Sequence, residues 1–188
     1  DDYKPYLIRG YAWMELGRYE LALADFNAAI ERPGTNPRTY VVRGIVHSRL
    51  GNPEAALADF NTAIEKLPTS TEAYFNTGAL LARVDEKPQK ALADFRKVTE
   101  LAPRRDVGWY ERGRMLLALE RWQEAADAFR HVSPSFSHWE QAQLNVGIAY
   151  FRAEQLEPAL RQLREVVARR PDWGEAYLWR SRVWLELG

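Results

Sequence analysis

Residues Ala22–Glu31 read ALADFNAAIE, Ala56–Glu65 read ALADFNTAIE, and Ala91–Glu100 read ALADFRKVTE. One chain thus writes nearly the same ten residues three times, 34 and then 35 residues apart. A catalytic motif is needed once, so recurrence at a fixed period of this length points to repeated architecture. Within the first copy Ala22, Phe26, Ala29 and Ile30 fall at i, i+4, i+7 and i+8, the apolar stripe of an amphipathic helix.

A second helical stretch precedes each copy. Before the first it is YLIRGYAWMELGRYE, Tyr6–Glu20, with a turn at Gly17 and a glycine, Gly10, in mid-helix. Glycine inside a helix costs roughly 1 kcal/mol relative to alanine, so its presence points to a close helix–helix approach. The small residue returns at Gly44, Gly78, Gly113, Gly147 and Ser181, at intervals of 34, 34, 35, 34 and 34 residues. Pro33, Pro68, Pro103, Pro134 and Pro171 each follow the second helix of a pair, where proline stops a helix. Asn36-Pro37, Thr69 with Glu72, Asp106, Ser137 with Glu140 and Asp172 with Glu175 read as N-caps, three of them capping boxes. The expected fold is all-α, with repeats over about 3–35, 36–69, 70–104, 105–136 and 137–172, then one further helix over 173–188.

These columns resemble the tetratricopeptide repeat. The first unit carries Tyr6, Gly10, Trp13, Gly17, Tyr19, Ala22, Phe26 and Ala29. The second carries Tyr40, Gly44, Gly51, Ala56, Phe60, Ala63 and Pro68, and the fourth Trp109, Gly113, Trp122, Ala125 and Phe129. The third has an extra residue in its Asp85-Glu86-Lys87-Pro88 turn, the fourth ends early at Ser133-Pro134, and the fifth has Leu163 for its second-helix aromatic. The resemblance covers essentially the whole chain. It implies a single right-handed α-solenoid of antiparallel helix pairs, a superhelix whose concave face binds extended or helical segments of other proteins.

Composition sets limits on function. The chain has 188 residues, 46% apolar and 28% charged, which is globular and not disordered. Lys+Arg and Asp+Glu both number 26, which argues against nucleic acid as main partner, and no apolar run approaches a membrane span. There is no cysteine, which excludes disulfides and thiolate sites and is compatible with either redox compartment. His47 aligns with Trp13, Leu81, Leu116, Tyr150 and Trp184 as a packed column, and His131 and His138 lack metal-ligand spacing. No phosphate loop, nucleophile elbow or zinc-protease motif occurs, so no enzyme, cofactor or metal site is expected.

The candidate binding surface lies on the first helix of each pair. There Leu7, Ile8, Tyr11 and Met14 are apolar on the side away from the packed column, and the feature recurs along the chain. A helix apolar on nearly all sides needs a second partner. The expected groove comprises Leu7, Tyr11, Val41, Val42, Ile45, Arg49, Phe75, Asn76, Arg83, Tyr110, Arg114, Leu144, Asn145, Ile148, Arg152 and Trp179. Arg38, Arg49, Arg83, Arg114 and Arg152 set against Glu72 and Glu111 suit a protein segment with hydrophobic anchors and some carboxylates. The family's clamp for acidic chaperone tails uses Lys, Asn, Asn, Lys and Arg. The best frame here offers Val41, Ile45, Asn76, Val107 and Glu111, so only Asn76 matches and a chaperone tail is not the expected partner.

Two further expectations concern stacking. Arg9, Arg43, Arg112 and Arg180 precede the small residue, and Asp25, Asp59 and Asp94 precede the second-helix Phe. Pairing each acid with the next repeat gives Asp25–Arg43, Asp59–Thr77, Asp94–Arg112, Ala128–Val146 and Gln162–Arg180, all chemically compatible. The last helix keeps Tyr177, Ser181, Trp184 and Gly188, residues that pack on a partner helix of their own. A terminal capping helix turns a polar face outward, so the sequence reads as a piece of a longer protein. The rival readings are a scaffold that assembles with itself through this helix, and a regulatory arm of an enzyme outside these residues.

Overall fold

The computed structural model describes residues 2–84 and 87–188, and the Asp85-Glu86 part of the expected extra-residue turn lies outside them. The described residues form eleven helices and no strand. They fall into two compact units, one ending at Leu101 and one running from Ala102 to Gly188. The first holds α1 (Lys4–Glu15), α2 (Tyr19–Ile30), α3 (Arg38–Arg49), α4 (Pro53–Lys66), α5 (Thr71–Val84) and α6 (Pro88–Leu101). The second holds α7 (Asp106–Ala118), α8 (Trp122–Arg130), α9 (Trp139–Arg152), α10 (Leu156–Arg169) and α11 (Gly174–Leu187). In each unit consecutive helices pack on one another, and α3 also touches α5 as α9 touches α11.

The mid-helix glycines explain the pairing. A Cβ at Gly10 would stand 2.7 Å from the Phe26 ring, at Gly44 2.6 Å from Phe60, and at Gly113 2.8 Å from Phe129. At Gly147 it would stand 2.7 Å from the Leu163 side chain. Each second helix thus seats its large side chain on the bare backbone of its own first helix, and Phe26, Phe60, Phe95 and Phe129 are all fully buried. The turns between the helices put Gly17 and Gly51 at φ +69° and +80°. The next N–H reaches back across the turn, Arg18 to the Trp13 carbonyl at 2.8 Å and Asn52 to that of His47 at 2.9 Å, closing a Schellman-type cap.

Several local expectations are corrected. Of the proposed capping residues, Asn36 accepts from the Arg38 N–H at 2.9 Å, but Ser70 and not Thr69 caps α5, accepting from Ala73 N–H at 3.3 Å. Asp106 is itself the first residue of α7, and its carboxylate takes the Ser133 N–H at 2.8 Å and hydroxyl at 2.6 Å. It ties down the segment after α8. Neither α9 nor α11 has a side-chain cap, since Ser137 bonds His138 and Asp172 bonds Arg170.

The Arg–Asp register is also corrected. Arg43 grips Asp59 of its own repeat with Nε and Nη2 at 2.8 and 2.6 Å, not Asp25 of the preceding one. Asp25 is taken by Arg9 in the same way, at 2.8 and 2.7 Å. Thr77 donates to the Ala73 carbonyl at 2.9 Å instead of meeting Asp59. The phase is set by the Gly–Phe seat, since the residues just before glycine and phenylalanine must then face one another. Gln162 likewise bonds Gln143 at 3.0 Å, leaving Arg180 over the Tyr177 ring. Arg43 also reaches the preceding repeat, Nη1 donating to Asn27 Oδ1 at 2.9 Å.

Candidate functional site

Three expected groove residues are core and unavailable to a ligand: Val41 is 1%, Val42 3% and Leu144 0% exposed. Their second partner is the protein itself. Val41 packs with Phe60, Ala63 and Ala73, Val42 with Ala22 and Phe26, and Leu144 with Leu163 and Val183. Apolarity all round these helices therefore records neighbouring helices as well as any bound segment. Leu7 and Tyr11 are half-buried against Phe26, with the Tyr11 ring edge-on to it at 5.7 Å. Phe75 is half-buried edge-on to Phe95 at 5.7 Å, and burial pushes the Tyr11 phenol pKa up.

In the first unit Ile45, Arg49, Asn76 and Arg83 do converge. They line a pocket of about 270 Å³ between α3 and α5 with Ser48, Ala79 and Leu80, and Phe60 forms its floor. Arg83 Nη2 donates to Ser48 Oγ at 2.8 Å, which steadies one guanidinium at the rim. Asn76 Nδ2 donates to the Glu72 carbonyl at 2.8 Å, leaving its carbonyl oxygen as an acceptor. Glu72 pairs with Arg38 at 3.1 Å, so it does not neutralise the pocket arginines. Arg49 is exposed and pairs with no carboxylate among the described residues. The pocket thus couples an apolar floor with two cationic groups. Ser48 escaped the sequence reading because it is polar, although it occupies the column of Met14 and Phe151.

In the second unit Tyr110 is enclosed by Phe129, Phe136 and His138 at ring distances of 5.8, 5.7 and 5.5 Å. Burial raises the Tyr110 phenol pKa. Phe136 and His138 lie between α8 and α9, outside any repeat column, so periodicity did not find them. Arg114 is engaged by Glu111 on its own helix at 2.9 Å. Asn145 and Ile148 are half-buried, Asn145 accepting from Gln141 at 3.4 Å and Ile148 packing against the Leu163 core. Trp179 stands edge-on to Phe151 at 5.8 Å, with the Arg152 and Arg182 guanidinium groups at 5.6 and 4.5 Å from its ring. Arg152 and Phe151 border another hollow, of about 490 Å³, with Glu154, Leu156 and Glu186.

His131 stacks on Trp109 at 4.1 Å, and His47 Nε2 stands 4.0 Å from Asp59 Oδ2. Among the described residues no three His, Asp or Glu side chains are grouped as metal ligands would be.

Antiparallel helix pairs at a 34-residue period, with a large side chain of each second helix on a bare glycine of the first, define a helical-repeat protein of the α-solenoid class. Profiles described as tetratricopeptide repeat match residues 41–103, 78–132, 144–188 and 3–36, and the chain belongs to that family. Such repeats are generally non-catalytic modules for protein–protein interaction. No curated protein matches the sequence significantly. Among solved structures, a tetratricopeptide repeat protein from Parabacteroides merdae is similar at 19% identity, covering 99% of this chain and 73% of that one, with a TM-score of 0.79. YrrB, described as a protein of this family with an unusual peptide-binding site, is 23% identical, with coverage of 94% and 90% and a TM-score of 0.79. MamA from Desulfovibrio magneticus is 19% identical, with coverage of 92% and 98% and a TM-score of 0.75. These likenesses are of fold.

Proposed function

We propose that this protein binds a short segment of a partner protein in the pocket between α3 and α5 and performs no catalysis. The observation that carries the reading is the meeting of Ile45, Ala79 and Leu80 with Arg49 and Arg83 around one opening. An apolar side chain of the ligand enters over Phe60, and an adjacent carboxylate meets the two guanidinium groups, a geometry arginine suits through its planar fork. The Asn76 carbonyl oxygen accepts a backbone N–H of the bound segment. The acidic residues that cancel other arginines, Glu72 on Arg38 and Glu111 on Arg114, leave Arg49 and Arg83 for this task.

The test is selection from a displayed random-peptide library with the wild-type chain and with Ala79→Glu, an exposed position whose substitution leaves the core intact. The wild type enriches peptides that place Asp or Glu beside a large apolar residue, and Ala79→Glu loses them. Arg49→Glu with Arg83→Glu abolishes the acidic preference. Enrichment of the same peptides by all three proteins overturns the reading.

A further inference from the structure

Arg49 and Arg83 stand at the same place in their helices, five residues after Gly44 and Gly78. The packing of α5 beside α3 therefore sets two guanidinium groups around one opening. The first helices to either side do not repeat this, since α1 has Glu15 and α7 has Ala118 in that column. Two like charges brought together repel, and an anion between them relieves the repulsion. Among the described residues no acidic side chain lines this pocket. Glu72, one turn before Asn76 on α5, is held by Arg38 at 3.1 Å. Other hollows carry their own acids: Arg152 shares one with Glu154 and Glu186, and Arg130 and Arg161 share another with Glu165. The α3–α5 pocket is built with an excess of positive charge.

The anion that balances two guanidinium groups carries more than one charge. A carboxylate supplies one negative charge and two oxygens, which suit a single bidentate arginine. A phosphate monoester supplies about 1.5 to 2 negative charges near pH 7 and three acceptor oxygens, so both arginines can hold it at once. Arg83 is already steadied, with Nη2 on Ser48 Oγ at 2.8 Å, and its other N–H groups remain for a ligand. The apolar floor of Phe60 with Ile45 and Leu80 takes the neighbouring side chain. That leaves the phosphate at the rim, within reach of a short side chain such as serine or threonine.

We propose that the α3–α5 pocket reads a phosphorylated serine or threonine that stands beside a large apolar residue in the partner segment. This rests on the reading of the pocket as a peptide site and adds the chemical identity of the anion. An aspartate or glutamate at the same place is the weaker form of the contact.

The probes are three end-blocked hexapeptides, Ala-Gly-Leu-X-Gly-Ala, with X as serine, aspartate or phosphoserine. Each is titrated into the full chain by calorimetry at physiological ionic strength. The phosphoserine peptide binds at least about tenfold more tightly than the aspartate one, and the serine peptide is the weakest. Arg49→Gln and Arg83→Gln, both at exposed positions, each bring the phosphoserine peptide to within about twofold of the aspartate peptide. Arg49→Lys keeps the charge but loses the planar fork, and gives up part of the phosphate preference. Equal affinity for the phosphoserine and aspartate peptides overturns the proposal and leaves the pocket reading standing. A phosphate preference retained in both Arg→Gln variants overturns it in favour of arginines elsewhere on the chain. Phosphopeptide binding that survives Ala79→Glu unchanged overturns the pocket reading along with it. Absence of saturable phosphopeptide binding also overturns the proposal, and the pocket reading is then judged by the displayed library, which contains no phosphate.

Discussion

Gly44 and Gly78 occupy the same column and differ in how much room they have. A Cβ at Gly44 meets Phe60 at 2.6 Å and the Ala56 carbonyl at 3.1 Å, whereas at Gly78 the nearest atoms stand at 3.2 Å. Alanine gains about 1 kcal/mol of helix propensity at either site, but overpacking costs about 1–3 kcal/mol where backbone must move. Urea unfolding should therefore find Gly44→Ala destabilised by about 1–2 kcal/mol and Gly78→Ala near neutral. Equal losses at both would show that Phe60 yields as easily as Phe95. The carboxylates beside this seat differ as well. Asp59 is 6% exposed and gripped twice by Arg43, so Arg43→Ala strands a buried charge and should cost about 2–3 kcal/mol, more than Arg9→Ala, whose arginine is 62% exposed. Asp94 sits in the third such slot, where Thr77 stands instead of arginine, and burial pushes its pKa from 3.8 up to about 6. The folded chain thus holds this proton more tightly than the unfolded one. Its contribution to stability is greatest below the unfolded value, falls as pH rises between about 4 and 6, and is flat above. Asp94→Asn should raise stability at pH 7 by about 1 kcal/mol, because solvent screens this half-buried group, and leave it unchanged at pH 3. An equal gain at both pH values would assign the effect to packing.

At the scale of the helix and its turn, the same backbone is built from different residues. Gly17 and Gly51 take the left-handed conformation that ends a first helix, and Glu120 and Glu154 take it in α7–α8 and α9–α10, at φ 56° and 59°. Arg121 and Gln155 still reach back five residues, to Leu116 and Tyr150, at 2.9 Å each. The helix pairing therefore holds the turn even where the residue resists it. Replacing Glu120 with glycine relieves a cost of about 1–2 kcal/mol less glycine's own entropy, so thermal unfolding should report a gain of about 0.5–1 kcal/mol. A loss instead would show that the Glu120 side chain itself stabilises the turn. This difference also shows what was legible in the sequence. Elements set by spacing could be read, because the Gly–Phe seat requires a fixed interval and Pro33, Pro68 and Pro103 cannot continue a helix. Caps could not. Asp106 looks like a cap by type, yet its carboxylate bonds Ser133, 27 residues away. Chemical compatibility of columns does not reveal the Arg–Asp register, because the glycine seat fixes Arg43 opposite Asp59. Of the expected groove, Ile45, Arg49, Asn76 and Arg83 came together, while Val41, Val42 and Leu144 went to the core, since apolarity alone does not separate a neighbouring helix from a ligand.

For the molecule as a whole, a stack of repeats is stabilised through nearest neighbours, so a helix with a neighbour on one side only is held by less. Burial follows this. The middle helices α3 and α9 each bury five residues, α3 through Thr39, Val41, Val42, Gly44 and Val46 and α9 through Ala142, Leu144, Val146, Gly147 and Ala149. In contrast α1 buries only Gly10, and α11 only Ala176 and Val183. Each buried aliphatic side chain contributes about 1.5–3 kcal/mol, so α1 opens at far lower cost than α3, and α11 at far lower cost than α9. Native-state hydrogen exchange should find the amides of α1 and α11 exchanging at least about tenfold faster than those of α3 and α9, by local opening and not through global unfolding. The denaturant dependence tells the two routes apart. End-helix exchange should respond weakly to urea, because little surface is exposed in opening, and α3 exchange should respond with the slope of full unfolding of its unit. If α11 proves as protected as α9, with the same urea slope, two buried side chains cannot account for it. Its exposed Tyr177, Trp184 and Leu185 must then already be covered in solution.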